Sequence, residues 1–284
     1  MKRFSLILLP VALLAACEQQ PAGEPVVTVE LGDADGVQPL DAPVDLGGAG
    51  VDAAMISADS PCQPATFEDV ELTHCIADPA KHLVNVVYQA EGALAPYGTL
   101  DAFAETADAT TIAFAMNGGA FSDDLTPKGY LVSSRNRLSE LDRGDGDGNF
   151  YMKPNGVFFG TGGRWRILTT GRFFSTVRDR PAFGTQSGPM LVVGGDLGGA
   201  ISENGNSRAI RNGVGVDVDG KAHFVISGAP ISYGQLARYL RDEAGATDAL
   251  FLDANSSALW DPASGRMDAG RTGPIIVVSK KTEQ

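Results

Sequence analysis

From about residue 60 the chain alternates short apolar runs with glycine- and aspartate-marked turns. In residues 83–89, Val84, Val86 and Tyr88 alternate with Asn85 and Val87, the period-two pattern of a strand. Thr99 precedes Leu100, Phe103, Ala104 and Ala107, which share one helical face with Thr99 as its cap. Residues 111–116, apolar after Thr111, predict a short buried strand and run into Asn117-Gly118-Gly119-Ala120-Phe121. The same order recurs downstream. Residues 222–227 predict a strand. Ser232 caps a helix with Tyr233, Leu236, Ala237 and Leu240 on one face, stopping near Gly245, and residues 249–253 predict the next strand. Both strand–helix–strand units are expected to pair their strands in parallel through a right-handed crossover. Asn117 and Asp253 would then lie at carboxyl ends of strands, where ligands collect in open sheets.

The middle of the chain is more purely β. Residues 157–159, 164–169, 190–193 and 214–218 predict strands, and 275–279 a last one. Gly162-Gly163 and Asp219-Gly220 mark hairpin turns. The fold class expected is α+β: a single sheet-rich domain over 60–284, with strand–helix–strand units and few helices. No internal sequence repeat is evident.

The first 59 residues follow other rules. Lys2 and Arg3 precede an apolar stretch, residues 4–16, too short to span a bilayer. It ends Leu14-Ala15-Ala16-Cys17, which resembles the bacterial lipoprotein processing box. Residues 1–17 are therefore expected to be a signal peptide with Cys17 as the lipidated residue, an ordinary cleaved signal being the alternative. Export to the bacterial envelope follows in either case, and Glu18 after the cysteine favours the outer membrane. Residues 18–59 carry nine acids and no lysine or arginine, the composition of a solvated acidic tether. The net charge of −13 argues against nucleic acid as a partner. Beyond residue 59 there remain 20 basic and 26 acidic residues, so acidity says little about a substrate. Cys62 and Cys75 are expected to form a disulfide in an oxidising compartment; free thiols, or a metal pair with His74, are the alternatives.

Candidate chemistry gathers at four places. The apolar run ending in Asp253 is followed at once by Asn255, Ser256 and Ser257, a cluster no core requires. Asn117, with Gly118 and Gly119, offers an amide beside backbone that a ligand can approach closely. Arg211, in Arg208-Ala209-Ile210-Arg211-Asn212-Gly213, suits a phosphate, which guanidinium grips with two hydrogen bonds. Gln186, Ser187 and Gly188 lead into an apolar strand, where backbone N–H groups can line an anion site. The chain has three histidines, His74, His82 and His223, none of them in these motifs, and no nucleophile elbow. Acid–base work would therefore fall to carboxylates. Asp145-Gly146-Asp147-Gly148-Asn149 imitates part of a calcium loop, but its twelfth position is Gly156, so a turn is expected.

In order, five motifs resemble those of the phosphodiester glycosidase domain family. They are Asn117 to Phe121, Gly148 to Phe150 with Lys153 to Phe158, Gln186 to Pro189, Arg211 to Gly215, and Leu252-Asp253 with Ser256-Ser257. The resemblance covers residues 62–280. It implies hydrolysis of a sugar–phosphate bond, with Asn117, Arg211 and Asp253 at the catalytic polar positions. Gly118, Gly119, Gln186, Ser187, Gly188, Asn255, Ser256 and Ser257 would bind substrate. It implies no obligatory cofactor, a divalent metal being an open option. The expected partners are a glycan or sugar-phosphate substrate and, through the lipid anchor, a membrane. Ala254 and Asn255 stand where the family has glycines. That departure keeps a non-catalytic phosphoglycan-binding lipoprotein on the same fold as the alternative.

Overall fold

Seventeen strands and three α-helices form among the residues described by the computed structural model, 60–252 and 257–282. The leader with Cys17, the tether, and residues 253–256, with Asp253, Asn255 and Ser256, lie outside that description. In chain order the first strands are β1 (Cys62–Phe67), β2 (Val70–Ala77) and β3 (His82–Val87). Helix α1 (Leu100–Ala104) leads to β4 (Ile112–Asn117), β5 (Leu131–Ser133), β6 (Asn136–Ser139), β7 (Gly156–Thr161) and β8 (Arg164–Thr169). Then come α2 (Thr170–Thr176), β9 (Phe183–Ser187), β10 (Met190–Val193), β11 (Asp196–Leu197), β12 (Asn212–Asp217) and β13 (Ala222–Ser227). Helix α3 (Tyr233–Arg238) precedes β14 (Ala246–Phe251), β15 (Leu259–Asp261), β16 (Arg266–Met267) and β17 (Ile275–Lys280).

Local chemistry starts the helices where the sequence places them. Thr99 Oγ1 accepts from the Ala102 N–H at 3.1 Å. Ser232 and Gln235 form a reciprocal capping box at the start of α3. Helix α3 then widens into a π turn over Tyr239–Glu243 before Gly245 ends it.

The strands build three sheets, ordered β1-β2-β13-β12-β14-β10-β11, β16-β15-β4-β17-β3 and β6-β5-β9-β7-β8. Every strand pairing among the described residues is antiparallel, which corrects the expected parallel pairing. Strands β3 and β4 do run the same way, but β17 lies between them and pairs with both. Strand β12 likewise lies between β13 and β14. Each helical connection is long enough to step over one strand, a span of about 10 Å. Asn117 still ends its strand, and Leu252 follows directly on β14.

The three sheets share one core. Phe114 of β4 and Phe158 of β7 both meet Phe224 of β13 edge-on, with centroids 5.2 and 5.9 Å apart. Phe183 of β9 closes on Phe158 at 5.3 Å. All four rings are essentially inaccessible to water. At the opposite edge of the largest sheet, Cys62 and Cys75 face each other across β1 and β2 and are joined by a disulfide. Replacing both by serine should lower the melting temperature by roughly 6–12 °C, the equivalent of about 3 kcal/mol of lost unfolded-state constraint. Differential scanning calorimetry of the double variant tests this; an unchanged melting temperature would show that the sheet edge does not need the bond.

Candidate functional site

Strands β4 and β12 belong to different sheets, and their ends meet through two asparagines. Asn117 closes β4 between β15 and β17, opposite Ile275, and its N–H donates to the Ala258 carbonyl at 3.2 Å. Its Oδ1 accepts from Asn212 Nδ2 at 2.7 Å and from the Ala258 N–H at 2.8 Å. Two donors on one oxygen fix how the amide is turned. The Asn117 Nδ2 is therefore the free end, and it is buried with no hydrogen-bond partner among the described residues.

The same asparagines secure the chain on both sides of residues 253–256. The Leu252 N–H donates to the Asn212 carbonyl at 3.2 Å, and the Leu252 carbonyl accepts from Ser187 Oγ at 2.5 Å. On the far side, the Ser257 hydroxyl lies 3.2 Å from the Ile210 carbonyl and 3.4 Å from Asn212 Oδ1. Asp253 thus follows a residue whose two backbone polar groups are both held.

Arg211 immediately precedes β12 and is only 2% exposed. Its Nε donates to the Ile231 carbonyl at 2.8 Å, and its Nη2 to the Ser207 carbonyl and hydroxyl at 3.0 and 3.1 Å. The guanidinium lies 3.6 Å from the ring centroid of Tyr233 and 5.5 Å from that of Phe251. Its Nη1 is buried and unpartnered, and no carboxylate forms a salt bridge with Arg211, among the described residues. Burying a cation without a counter-charge costs several kcal/mol, and an arriving anion would recover part of that cost. Ser207 and Tyr233 also line a hollow of about 500 Å³ with Asn149, Ser202 and Asn206. Hydroxyls and amides beside an aromatic ring suit a sugar.

Other residues expected to touch a ligand have structural work of their own. Gln186 Oε1 accepts from the N–H groups of Tyr130 and Asp142, at 2.9 and 3.0 Å. Its Nε2 donates to the Asp142 carbonyl at 2.6 Å and to Thr170 Oγ1 at 3.1 Å, so the amide has no capacity left. A side chain on Gly118 would put its Cβ 2.2 Å from Ile276 Cγ1. Gly119 has φ +97°, and its Cβ would fall 2.1 Å from Thr185 Oγ1. Gly188 sits in a cis Gly188–Pro189 turn against Asn155. These glycines serve close packing around Asn117 and Ser187. Arg208 braces the start of α3 through Gln235 at 2.6 Å. No group of three or more His, Cys, Asp or Glu able to hold a metal ion occurs among the described residues.

Sequence reasoning missed two things. Asn212 stood in the arginine motif, and its place directly after Arg211 was the available signal. Tyr239, His74, His223 and Asp217 form a hydrogen-bonded row at the other end of the β12–β13 ladder, with successive distances of 3.0, 2.9 and 3.2 Å. One direction satisfies the row: the Tyr239 hydroxyl donates to His74, His74 to His223, and His223 to Asp217. Burial, and then the neighbouring His223, pull the His74 pKa from 6.5 to about 4.

Comparison with known proteins supplies the remaining context. A family model described as phosphodiester glycosidase matches residues 110–272. The uncharacterized protein YigE of Escherichia coli is 31% identical over 165 residues, covering 58% of this chain. The match spans 64% of that protein, less than two thirds of its length. Among solved structures, the zebrafish N-acetylglucosamine-1-phosphodiester alpha-N-acetylglucosaminidase catalytic domain, auto-inhibited by its pro-peptide, superposes with a TM-score of 0.53. That match has 14% identity, covers 78% of this chain and 82% of the other, and establishes likeness of fold.

Two outcomes follow from this geometry. Asn117→Ala strips the acceptor from Asn212 Nδ2 and the Ala258 N–H, and should cost about 2–4 kcal/mol, read as a lower denaturant midpoint at constant slope. The His74 shift means that the folded state binds fewer protons than the unfolded one between pH 4 and 6.5. Stability should therefore be full above about pH 6.5 and fall by on the order of 3 kcal/mol as pH drops toward 4. His74→Gln should flatten that slope in urea unfolding series; an equal slope in the variant would assign the acid sensitivity to other groups.

Proposed function

The chain belongs to the phosphodiester glycosidase family, and from that membership we propose that it hydrolyses glycosyl–phosphodiester linkages of envelope or environmental glycans. The leader ending in Cys17 supports an exported, lipid-anchored setting for that activity. The observation that carries the reading is a pair of buried donors without a partner among the described residues, Arg211 Nη1 and Asn117 Nδ2, on segments joined by the Asn117–Asn212 bond. In this reading Arg211 takes a phosphate oxygen, and Asn117 orients the sugar or the phosphate. The sugar ring occupies the hollow beside Tyr233. Water forms the new bond to the anomeric carbon. The bond from that carbon to the phosphate oxygen breaks, its electron pair leaves on the phosphate, and a proton passes from the water to a base. Asp253, one residue beyond the anchored Leu252, is assigned that acid–base or charge-stabilising role, with Asn255, Ser256 and Ser257 around it. Phosphate is a good leaving group and needs little protonation, so a site without histidine suffices.

A second reading is favoured by Ala254 and Asn255, which stand where the family has glycines: a phosphoglycan-binding protein without turnover. The two part on one assay. The full chain, offered a panel of glycosyl 1-phosphate diesters, should release phosphomonoester. Asp253→Asn and Arg211→Lys should each lower kcat/KM by about 100-fold or more while the circular dichroism spectrum stays native. Tight binding across the panel without any phosphomonoester would remove the catalytic reading and leave the binding one.

A further inference from the structure

Eight of the chain's fifteen arginines fall between residues 135 and 180, within a molecule whose net charge is −13. All eight are exposed. Among the described residues only Arg137 of the eight has a salt-bridge partner, Glu140 at 2.8 Å. Like charges so placed repel one another; Arg143 and Arg166 stack on Phe174 and Phe159, and the carboxylates lining the same hollows, Glu140 and Asp179, are outnumbered by the guanidiniums. Their arrangement is concave. One hollow of about 750 Å³ is lined by Arg135, Arg143, Arg178 and Arg180. A second, of about 650 Å³, shares Arg178 and Arg180 and adds Arg164 and Arg166. Those last two are two residues apart on β8, so they share a face about 7 Å apart, opposite the buried Trp165. A third hollow, of about 350 Å³, shares Arg143 and adds Lys153. Met152, the neighbour of Lys153, lines the same hollow as Ser207 and Tyr233, the two residues that hold the Arg211 guanidinium.

We propose that these adjoining hollows form one track for an extended polyanion, a glycan chain carrying phosphodiester groups, which delivers one linkage to Arg211. The proposal deepens the function proposed above by naming a polymer as its substrate. Guanidinium forks spaced along a groove match phosphates spaced along a chain. A bilayer fits less well, because the cations line depressions and Arg143 lies 3.9 Å over the ring of Phe174, the exposed apolar residue beside them.

The test uses the full chain, a long homopolymer of N-acetylhexosamine 1-phosphate, and a single methyl N-acetylhexosaminyl phosphate diester. Arg178→Glu with Arg180→Glu, and separately Arg164→Glu with Arg166→Glu, alter exposed positions outside the proposed catalytic group. Wild type should bind the polymer more tightly than the diester, with an affinity that weakens as salt rises. Each double variant should weaken polymer binding by about tenfold or more and leave diester binding within about twofold. Unchanged polymer binding, or an equal loss for the diester, overturns the track. So does tighter binding to phosphatidylglycerol vesicles or a single-stranded oligonucleotide that the same variants abolish. Binding is read without turnover, so a polymer bound through these arginines but never cleaved sinks the catalytic reading and upholds the track.

Discussion

One side-chain oxygen ties the molecule together at its most consequential point. Asn117 Oδ1 takes a hydrogen bond from Asn212 in another sheet and a second from Ala258. Through it, two sheets agree on their relative position, and the chain on either side of residues 253–256 acquires fixed ends. An aspartate could accept the same bonds only by burying a charge, and an alanine could accept neither. Because the oxygen is fully used, the amide nitrogen is left over and, like Arg211 Nη1, has no partner among the described residues. The polar group that orders the framework thus keeps one buried donor in reserve.

Much of this was legible in the sequence because it is local. The caps at Thr99 and Ser232, the turns at Gly162-Gly163 and Asp219-Gly220, and the apolar run that becomes β4 each depend on neighbours within a few residues. The polar ends of strands also lie close together: Asn117 bonds Asn212, the residue after Arg211, and the Asn212 carbonyl holds Leu252. Pairing partners were not legible. Strand β17 lies between β3 and β4, and β12 between β13 and β14, through contacts that no local pattern encodes. Gln186 showed the same limit in a different way. Its motif placed it near the site, but only the three-dimensional register revealed that Tyr130, Asp142 and Thr170 consume its amide. The row from Tyr239 to Asp217 likewise joins residues from three separate stretches of chain.

Charge is distributed unevenly, and the total conceals it. The nine acids in residues 18–59 supply most of the net charge of −13, while a surface rich in arginine occupies the third sheet and α2. Reading the total alone would dismiss any anionic macromolecule as a partner. Reading it by region separates a repelling segment from an attracting one. Arg211 follows a different economy, its deeply buried guanidinium held by carbonyls, a hydroxyl and aromatic rings.

The position of β17 also sets when the molecule can become competent. Its Ile275 pairs with Asn117 across more than 150 residues, and no other strand lies between β3 and β4. A nascent chain that has not yet made residues 275–280 has β4 open along one edge and its asparagine lacking a neighbour. Such long-range closure is slow, because loop entropy is lost before any contact repays it. Closure of this frame therefore waits on residues 275–280, and a chain that stops short of them carries every catalytic candidate without the strand that holds Asn117 in place.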